Sequence, residues 1–386
     1  MELRKKNIQI ALVGPSWPFR GGIAKYTTEL AHQLSKKGHL ASFITPKKQY
    51  PQILFPGKTQ KDEHSCNRVS SSKSIYSYYE PWTWRAVLKE LEASKADCIV
   101  VPHWSLVSAP FLSYLTRRSS KPVIAIVHNF TDHSLRFRSR RIGEWVLKKG
   151  AGYLHHNPEF SKLDFFKTRS ERVECQLLPI IKNKQIKNTS PKIGGPKKKI
   201  QIPDELITFL FFGLIRPYKG LNILLDAIES LPPQAPIALL IAGEPWEKNK
   251  ELEIRLQNMS KNRWIQWELK WISEEETPIW FSAADVVVLP YLEATGSAVA
   301  AQALSFGKPI LATRTGSLPY IIKHGENGLI CESNNTSALA NGLTRFLNQK
   351  LRDKLTRGAK TSGLKDWSSY VEGLVRIAEK SLTPMN

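Results

Sequence analysis

The chain has 386 residues, too many for one typical hydrophobic core, which predicts two domains of about 150–200 residues each. Hydrophobic residues make up 41% of it and charged residues 23%, as in ordinary globular proteins, and the net charge is +22. No apolar run approaches a membrane span, and the apolar stretch after MELRKK is shorter than that of a usual signal peptide. We therefore expect a cytoplasmic location. The four scattered cysteines lack metal-ligand spacing, so we expect free thiols.

Short apolar runs alternate with stretches of helical periodicity in both halves of the chain. Taken in chain order, the runs predicted as buried parallel strands are Ile8–Val13, Ala41–Thr45, Asp97–Val101, Pro122–Val127, Ile207–Phe212, Ile237–Ile241, Asp285–Leu289 and Pro309–Thr313. Helical stripes follow the first strand of each series. This alternation predicts an α/β fold of two Rossmann-like domains with doubly wound parallel sheets.

The domain boundaries follow from composition. A stretch rich in Lys, Pro and Gly separates the two series of strands and predicts a basic linker at 191–203. We therefore expect an N-terminal domain over 1–190 and a C-terminal domain over 204–365. Apolar residues at helical spacing predict a final helix within 366–386, which we expect to pack back toward the N-terminal domain.

The sequence FFGLIRPYKG places two cations on a loop at the end of a predicted strand. Gly213 permits a tight turn, and Arg216 and Lys219 follow three residues apart. Ligands bind at the carboxyl ends of strands in such sheets, and a guanidinium fork with an ammonium point charge suits a diphosphate. An ordinary basic surface loop would explain these residues equally well.

A second loop, Glu293–Ser297, leads from a predicted strand into an apolar helix. Thr295, Gly296 and Ser297 would offer backbone N–H groups and hydroxyls to an anion at the helix N-terminus, although an ordinary N-cap has the same residues. Because both loops leave the same edge of one sheet, we expect them to converge on one phosphate group. In the first domain Gly21 and Gly22 end a similar strand-to-helix loop, but a plain turn explains them as readily.

Five segments of the C-terminal half together resemble glycosyltransferase family 4. They are, in order, GLIRPYKG, LLIAGEPW, WISEEETPIWFSAADVVVLPY, ATGS and ALSFGKPILATRTGSLPYII, and the first half matches more loosely through PxxGGIxxYxxELAxxL and VHNF. The resemblance implies the GT-B fold, in which two Rossmann-like domains face each other across a cleft. It also implies a retaining, metal-independent transfer from a nucleotide-diphosphate sugar held by the C-terminal domain, and the chain lacks the metal-binding DxD motif.

The resemblance also implies roles for individual residues. Arg216 and Lys219 correspond to the pair that neutralises the donor diphosphate, and Thr295 and Ser297 to contacts of the distal phosphate. In the N-terminal domain Gly21 and Gly22 correspond to a loop that closes over the phosphates. His128 corresponds to the histidine beside the transferred sugar, although a strand-end histidine bonded to the backbone is the alternative. His103, which ends the preceding strand, is assigned to the acceptor side.

One part of the family pattern is absent. Counted back from the GKP turn, the positions of the usual acidic pair hold Gln302 and Ala294, and Glu293 lies one residue out of register. The Gln302 amide can still hydrogen-bond a ribose hydroxyl, but without charge. The resemblance therefore locates the donor site more firmly than it identifies the donor. We expect the loop around Trp271–Ser273 to take part in recognising the base.

The charge is distributed unevenly. Residues 1–203 contain 36 bases and 14 acids, whereas residues 204–386 contain 20 of each. In the first half Ser134–Lys149 interleaves Arg and Lys with Leu, Phe, Ile and Trp, as segments that sit on an anionic membrane do. The linker accounts for part of the excess charge, and a nucleic-acid binder would show the same excess.

We therefore predict a retaining hexosyltransferase that uses a UDP- or GDP-sugar and acts on a lipid-linked or cell-envelope glycan. We place it on the inner face of the cell membrane, without a metal and without nucleic acid. A GT-B relative with epimerase or phosphorylase chemistry is the first alternative. A nucleic-acid-binding protein is the second, but it would leave the phosphate loops unexplained, and the chain carries no nucleic-acid recognition motif.

Overall fold

The computed structural model describes residues 7–50, 60–61, 71–105, 107–130, 136–179, 200, 202–247, 249–362 and 366–383, with the backbone alone for 136–140. The chain divides into two compact units. Unit 1 comprises Met1–Pro179 and Lys365–Asn386, and unit 2 comprises Ile180–Leu364. Most of the predicted linker at 191–203 lies outside the described residues.

Unit 1 is built on a parallel sheet of seven strands in the order β3-β2-β1-β4-β5-β6-β7. The strands are β1 Ile10–Val13, β2 Leu40–Lys48, β3 Ser72–Ser77, β4 Cys98–His103, β5 Val123–Val127, β6 Gly152–His155 and β7 Val173–Cys175. The helices are α1 Gly22–Lys36, α2 Trp84–Ala93, α3 Ala109–Arg118, α4 Arg136–Leu147 and α5 Asp164–Lys167. Every residue of β1, β4 and β5 is buried, because helices cover both faces of a doubly wound sheet.

The last helix of the chain belongs to unit 1 and packs on α1 and β6. The chain continues from unit 2 into this helix, α13 Trp367–Leu382. A Cβ on Gly373 would collide with the side chain of Gln176, so the helix lies directly against the end of the sheet. The Arg376 guanidinium is 2.6 Å from the Glu174 carboxylate, and the hydroxyls of Tyr26 and Tyr370 are hydrogen-bonded in the interior.

Unit 2 is built on a parallel sheet of six strands in the order β10-β9-β8-β11-β12-β13. The strands are β8 Ile207–Phe212, β9 Ile237–Ala242, β10 Trp264–Glu268, β11 Val286–Leu289, β12 Ile310–Thr313 and β13 Gly328–Cys331. The helices are α6 Leu221–Ser230, α7 Lys250–Met259, α8 Thr277–Ala283, α9 Ala298–Ser305, α10 Leu318–Ile321, α11 Thr336–Arg345 and α12 Gln349–Thr361. The apolar stripe of α6 is buried on the sheet, with Leu224 and Leu225 fully enclosed.

The prediction of two doubly wound parallel sheets is confirmed. All eight predicted strands are present, and their ends differ from the predicted ones by at most three residues. Five strands were not predicted, and four of these, β3, β7, β10 and β13, are the outermost strands of their sheets. None of the cysteines in the described part of the chain is in a disulfide. None of the helices described is both long and apolar enough to cross a bilayer.

Candidate functional site

Two loops of unit 2 meet at the carboxyl edge of its sheet. One follows β8 and carries Arg216 and Lys219, and the other follows β11 and leads into α9. The amide of Leu292 donates a 2.7 Å hydrogen bond to the carbonyl of Tyr218, which joins the loops directly. Gly220 has φ +69°, and a Cβ there would collide with the carbonyl oxygen of Pro290. Glycine is therefore required where the first loop turns into α6 against the second.

Lys219 points its ammonium group toward this junction. A Cβ on Gly213 would lie 3.3 Å from the Lys219 Nζ and 3.5 Å from the Val299 Cγ2, in the first turn of α9. The ammonium is 5.7 Å from the centre of the Tyr291 ring. Burial, with a smaller contribution from the nearby Arg216, lowers the pKa of Lys219 to about 8. A half-buried cation without a carboxylate partner among the described residues is typical of an anion-binding site.

The Arg216 guanidinium lies over an aromatic ring. Its guanidinium carbon lies 3.8 Å from the centre of the Trp246 ring. The Nε atom is buried and has no hydrogen-bond partner in the described part of the chain. Arg255, on the surface of the same unit, instead pairs with Asp226 and Glu229. Among the described residues, neither cation of the β8 loop is therefore paired with a carboxylate.

The N-terminus of α9 forms the other side of the junction. Ser297 is buried, and its hydroxyl accepts a 3.0 Å hydrogen bond from the amide of Ala300, so its side chain acts as the N-cap. The hydroxyl oxygen of Ser297 is thus engaged as an acceptor, while its O–H group can still donate. The contact of Ser297 and the neighbouring backbone with a phosphate stays a prediction.

The remaining predicted donor residues lie around the same helix. Glu293, Thr295 and Gly296 are half-buried in the loop before α9, and Gln302 is half-buried in its second turn. Ala294 is buried, and Gly316, with φ +52°, lies so close to its carbonyl that a Cβ would collide with it. The position that the family gives to its first acid is thus packed inside this loop.

The loop expected to recognise the base is partly committed to other contacts. Ser273 and Glu276 form a reciprocal capping box ahead of α8, with hydrogen bonds of 3.0 and 3.2 Å between side chains and amides. Ile272 is buried, whereas Trp271 is half-buried. Trp271 is therefore the residue of this group with an aromatic face partly open to a ligand.

The glycine pair of unit 1 begins α1. Gly21 is the residue before the helix and has φ +107°, a conformation that favours glycine. A Cβ on Gly21 would meet no atom within 4 Å among those described. Gly22 is exposed. The pair therefore leaves open space above the backbone at the carboxyl end of β1.

His103 and His128 lie side by side at the carboxyl ends of β4 and β5. The amide of His128 donates a 2.8 Å hydrogen bond to the carbonyl of His103. The His103 Nδ1 is 3.1 Å from the Ser108 hydroxyl, which itself donates to the carbonyl of Ser105. His103 therefore carries its proton on Nδ1, and Nε2 is its acceptor nitrogen. Burial lowers the pKa of His103 to about 4.

His128 is enclosed by aromatic rings of residues that were not predicted to belong to the site. The ring of Tyr26 meets it edge-on at 4.6 Å between centroids, and the ring of His156 is 4.7 Å away. His156 donates from Nδ1 to the carbonyl of Gln176. Burial, together with His156 and His103, holds the pKa of His128 well below its ordinary value. His128 is therefore a neutral imidazole at physiological pH.

The structure thus gathers the predicted residues into one group in each unit. Gly213, Arg216, Lys219 and the α9 loop lie together in unit 2, while Gly21, Gly22, His103 and His128 line the strand ends of unit 1. Trp246, Tyr291 and His156 are additional residues of these groups. Trp246 follows β9 in AGEPW, so its position at a strand end was a usable signal. Nowhere in the described ranges do three His, Cys, Asp or Glu side chains come together as a metal site would need.

Comparison with known proteins covers most of the chain. Residues 196–362 match the family model described as glycosyl transferases group 1, and residues 20–157 match that of glycosyltransferase family 4. A D-inositol 3-phosphate glycosyltransferase of Corynebacterium jeikeium (strain K411) is 29% identical over 193 residues, which are 48% of this chain and 46% of that protein. The chain spans less than half the length of such relatives.

Solved structures resemble the whole chain in fold. A glycosyltransferase from Rickettsia africae ESF-5 superimposes with a TM-score of 0.75 at 15% identity, covering 98% of this chain and 100% of that one. The Anabaena protein Alr3699/HepE, in complex with UDP-glucose, gives 0.71 at 15% identity over 96% and 98%. The two family models and the shared GT-B fold agree with the paired parallel sheets, and the chain belongs to family 4, group 1, of the glycosyltransferases.

Proposed function

We propose that this protein is a retaining glycosyltransferase that moves a hexose from a UDP- or GDP-sugar to a lipid-linked or cell-envelope glycan. The observation that carries the proposal is the cation pair of the β8 loop. Arg216 and Lys219 have no carboxylate partner among the described residues, and the α9 N-terminus adjoins them. A diphosphate fits this arrangement because it supplies the missing negative charge.

The reaction would use these charges in its transition state. The bond between the anomeric carbon and the diphosphate oxygen breaks, and its electron pair leaves with the diphosphate. Arg216 and Lys219 stabilise that growing charge more than they stabilise the bound donor. An acceptor hydroxyl bonds the anomeric carbon on the face that the diphosphate leaves, and its proton is released with the nucleotide. We propose that these two side chains stabilise the leaving diphosphate without the help of a metal ion.

Unit 1 would contribute neutral groups. As an uncharged imidazole, His128 can hydrogen-bond a sugar hydroxyl without attracting the diphosphate. His103 presents Nε2 as a hydrogen-bond acceptor, which suits the hydroxyl of a glycan. The open space above Gly21 would let a phosphate approach the backbone.

A binding screen tests the donor half of the proposal. Saturation with the right nucleoside diphosphate, UDP or GDP, should raise the melting temperature by about 5–10 °C through mass action. Incubation of the matching labelled sugar nucleotide with a lipid extract should then yield a glycolipid whose anomeric configuration, read by NMR, equals that of the donor. An isomerised nucleotide sugar would show an epimerase, and a sugar 1-phosphate that forms together with the nucleoside diphosphate only when inorganic phosphate is added would show a phosphorylase. No shift with any nucleotide would reject the donor site.

We also propose that unit 1 docks on an anionic membrane through a basic–aromatic face. The exposed residues described for this face come from the end of α3, from the middle and last turn of α4 and from the turn after α4. They are Arg117, Arg118, Arg141, Ile142, Trp145, Lys148 and Lys149. Trp145 is 58% exposed, and the Arg117 guanidinium carbon lies 4.2 Å from the centre of its ring. Ser134 and Leu135 of the predicted segment lie outside the described residues, as does the Phe137 side chain.

Binding to lipid vesicles tests whether this face docks on an anionic membrane. An exposed tryptophan among cations favours the interface of an anionic bilayer, where each basic residue contributes about 1 kcal/mol. Wild-type protein should co-sediment with phosphatidylglycerol vesicles more than with phosphatidylcholine vesicles. The variant with Trp145→Ala, Lys148→Ala and Lys149→Ala should lose roughly tenfold or more in affinity. The matched control is Trp82→Ala, which removes another exposed tryptophan of unit 1.

The proposed docking is rejected by equal, weak binding of wild-type protein to both kinds of vesicle, or by equal losses in the triple variant and the control. A salt-sensitive mobility shift with duplex DNA or RNA would instead assign the positive charge to nucleic acid.

A further inference from the structure

We propose that Trp246 is a positioning residue that orients the Arg216 guanidinium toward the donor diphosphate and leaves its charge free. The inference rests on the proposed function of Arg216 and adds a residue to which no role in this site has been given. It assigns the aromatic ring to the phosphate end of the donor rather than to the base.

The surroundings of Arg216 differ from those of Arg255 and Arg376. Arg255 donates to Asp226 and Glu229 at 2.5 and 2.7 Å, and Arg376 donates to Glu174 at 2.6 Å. Arg216 has no such carboxylate, and its buried Nε has no hydrogen-bond partner among the described residues. The contact that holds its guanidinium is the face of Trp246, 3.8 Å from the guanidinium carbon.

The backbone fixes Trp246 in this position. The amide of Ile215 donates to the carbonyl of Glu244 at 2.9 Å, and the amide of Trp246 donates to the carbonyl of Ile215 at 3.0 Å. Ile215 and Pro245 form a parallel bridge that continues the pairing of β8 with β9. The loops after these neighbouring strands are thus joined one residue before Arg216, which places the indole next to its side chain.

An aromatic partner suits this task better than an acidic one. A carboxylate would orient the guanidinium but would occupy its N–H donors and cancel the charge that the diphosphate needs. The indole face attracts the cation through its π-electrons and leaves the N–H groups at the guanidinium edge available. The ring also restricts the long side chain before the ligand arrives, so less conformational entropy is lost on binding.

Substitution of Trp246 tests the inference through the phosphate dependence of binding. Affinities of UDP, UMP, GDP and GMP are measured by titration calorimetry for wild-type protein, Trp246→Leu and Trp246→Phe. We expect Trp246→Leu to weaken the bound diphosphate about tenfold to thirtyfold and the monophosphate less than about threefold. Trp246→Phe keeps an aromatic face and should recover most of the affinity. The matched control is Trp264→Leu. Trp264 is the first residue of β10, so it lies at the amino ends of the strands, whereas the candidate site lies at their carboxyl ends.

A double-mutant cycle separates this role from a structural one. If Trp246 acts through Arg216, then Trp246→Leu should cause little further loss in the Arg216→Ala background. Additive losses, or an equal loss for diphosphate and monophosphate, would overturn the inference. If Trp246→Leu does not fold, Trp246→Met replaces it in the cycle. If wild-type protein binds none of the nucleotides, the proposed function itself fails, whereas wild-type binding that Trp246→Leu leaves unchanged rejects the inference alone.

Discussion

Replacing Lys219 by methionine is expected to abolish glycosyl transfer and, at the same time, to make the protein more stable. Loss of one fixed cation beside a departing diphosphate typically costs about 3–4 kcal/mol of transition-state stabilisation, which is a factor of roughly 10² to 10³ in rate. In the free protein that cation is half-buried next to Arg216, and burial lowers its pKa to about 8. Methionine has a similar shape and carries no charge to desolvate, so the folded state gains stability.

The expected gain in stability follows from the pKa of Lys219, because a pKa that differs between the folded and unfolded states makes the free energy of unfolding depend on pH. The folded-state pKa of Lys219 lies below its ordinary value of 10.5, so the unfolded chain binds the extra proton between pH 8 and pH 10.5. The free energy of unfolding of the wild-type protein therefore rises with pH across that window, and Lys219→Met should remove this rise. The full pKa difference corresponds to about 3 kcal/mol. Partial exposure to water screens some of it, so we expect a gain of about 1–2 kcal/mol at pH 7.

Calorimetry with and without nucleotide measures both effects. Without ligand, Lys219→Met should melt about 2–6 °C above wild type, and with saturating UDP or GDP it should show little further increase. Lys323→Met, which removes an exposed lysine of the same unit, should change neither quantity. Arg216→Ala should lose transfer to a similar extent while the protein stays folded. Wild-type turnover in both site variants would remove the diphosphate role of this pair.

The strands that could be predicted from the sequence are those whose own residues show that the strand is buried. β8 and β9 are continuous apolar runs enclosed on both faces, and such runs are recognisable without knowledge of their neighbours. The edge strand β3, SKSIYS, is mostly polar, and the edge strand β7 has three residues, because one side of an edge strand has no pairing partner. Their pairing depends on the rest of the sheet, which no local pattern contains.

The residues of the candidate site likewise fall into those that the sequence predicts and those that it does not. Arg216, Lys219 and the α9 loop could be placed because strand–loop–helix order puts them at one sheet edge. Their mutual contacts, such as the Leu292 to Tyr218 hydrogen bond, depend on the turn that Gly220 makes. His156 could not be placed, because β6 was not predicted and the position of His156 beside His128 depends on that strand.

Acidification is expected to unfold unit 1 between about pH 6.5 and pH 4. Burial lowers the pKa of each of His103, His155 and His156 to about 4, and lowers that of His128 well below its ordinary value. Tyr26 and Tyr370, whose rings pack around His156, have pKa values raised by burial and stay neutral. The folded state therefore resists protonation that the unfolded chain accepts from pH 6.5 downward, so stability is complete above pH 6.5 and is lost as the pH falls toward 4.

The size of this loss makes it measurable. Each histidine with a folded pKa of about 4 should lower the free energy of unfolding by about 2 kcal/mol at pH 5, and three together by about 6 kcal/mol. That is comparable with the whole stability of a typical domain, about 5–15 kcal/mol. Hydrogen exchange should therefore show unit 1 opening near pH 5 while the peptides of unit 2 stay protected. His156→Gln keeps a side-chain amide to donate to the carbonyl of Gln176 but cannot be protonated, so it should flatten the pH dependence by about one histidine's share. A free energy of unfolding that stays constant from pH 7 to pH 5 in the wild-type protein would show that these imidazoles take up protons as readily in the folded state as in the unfolded chain, and burial would then not be what keeps His128 neutral.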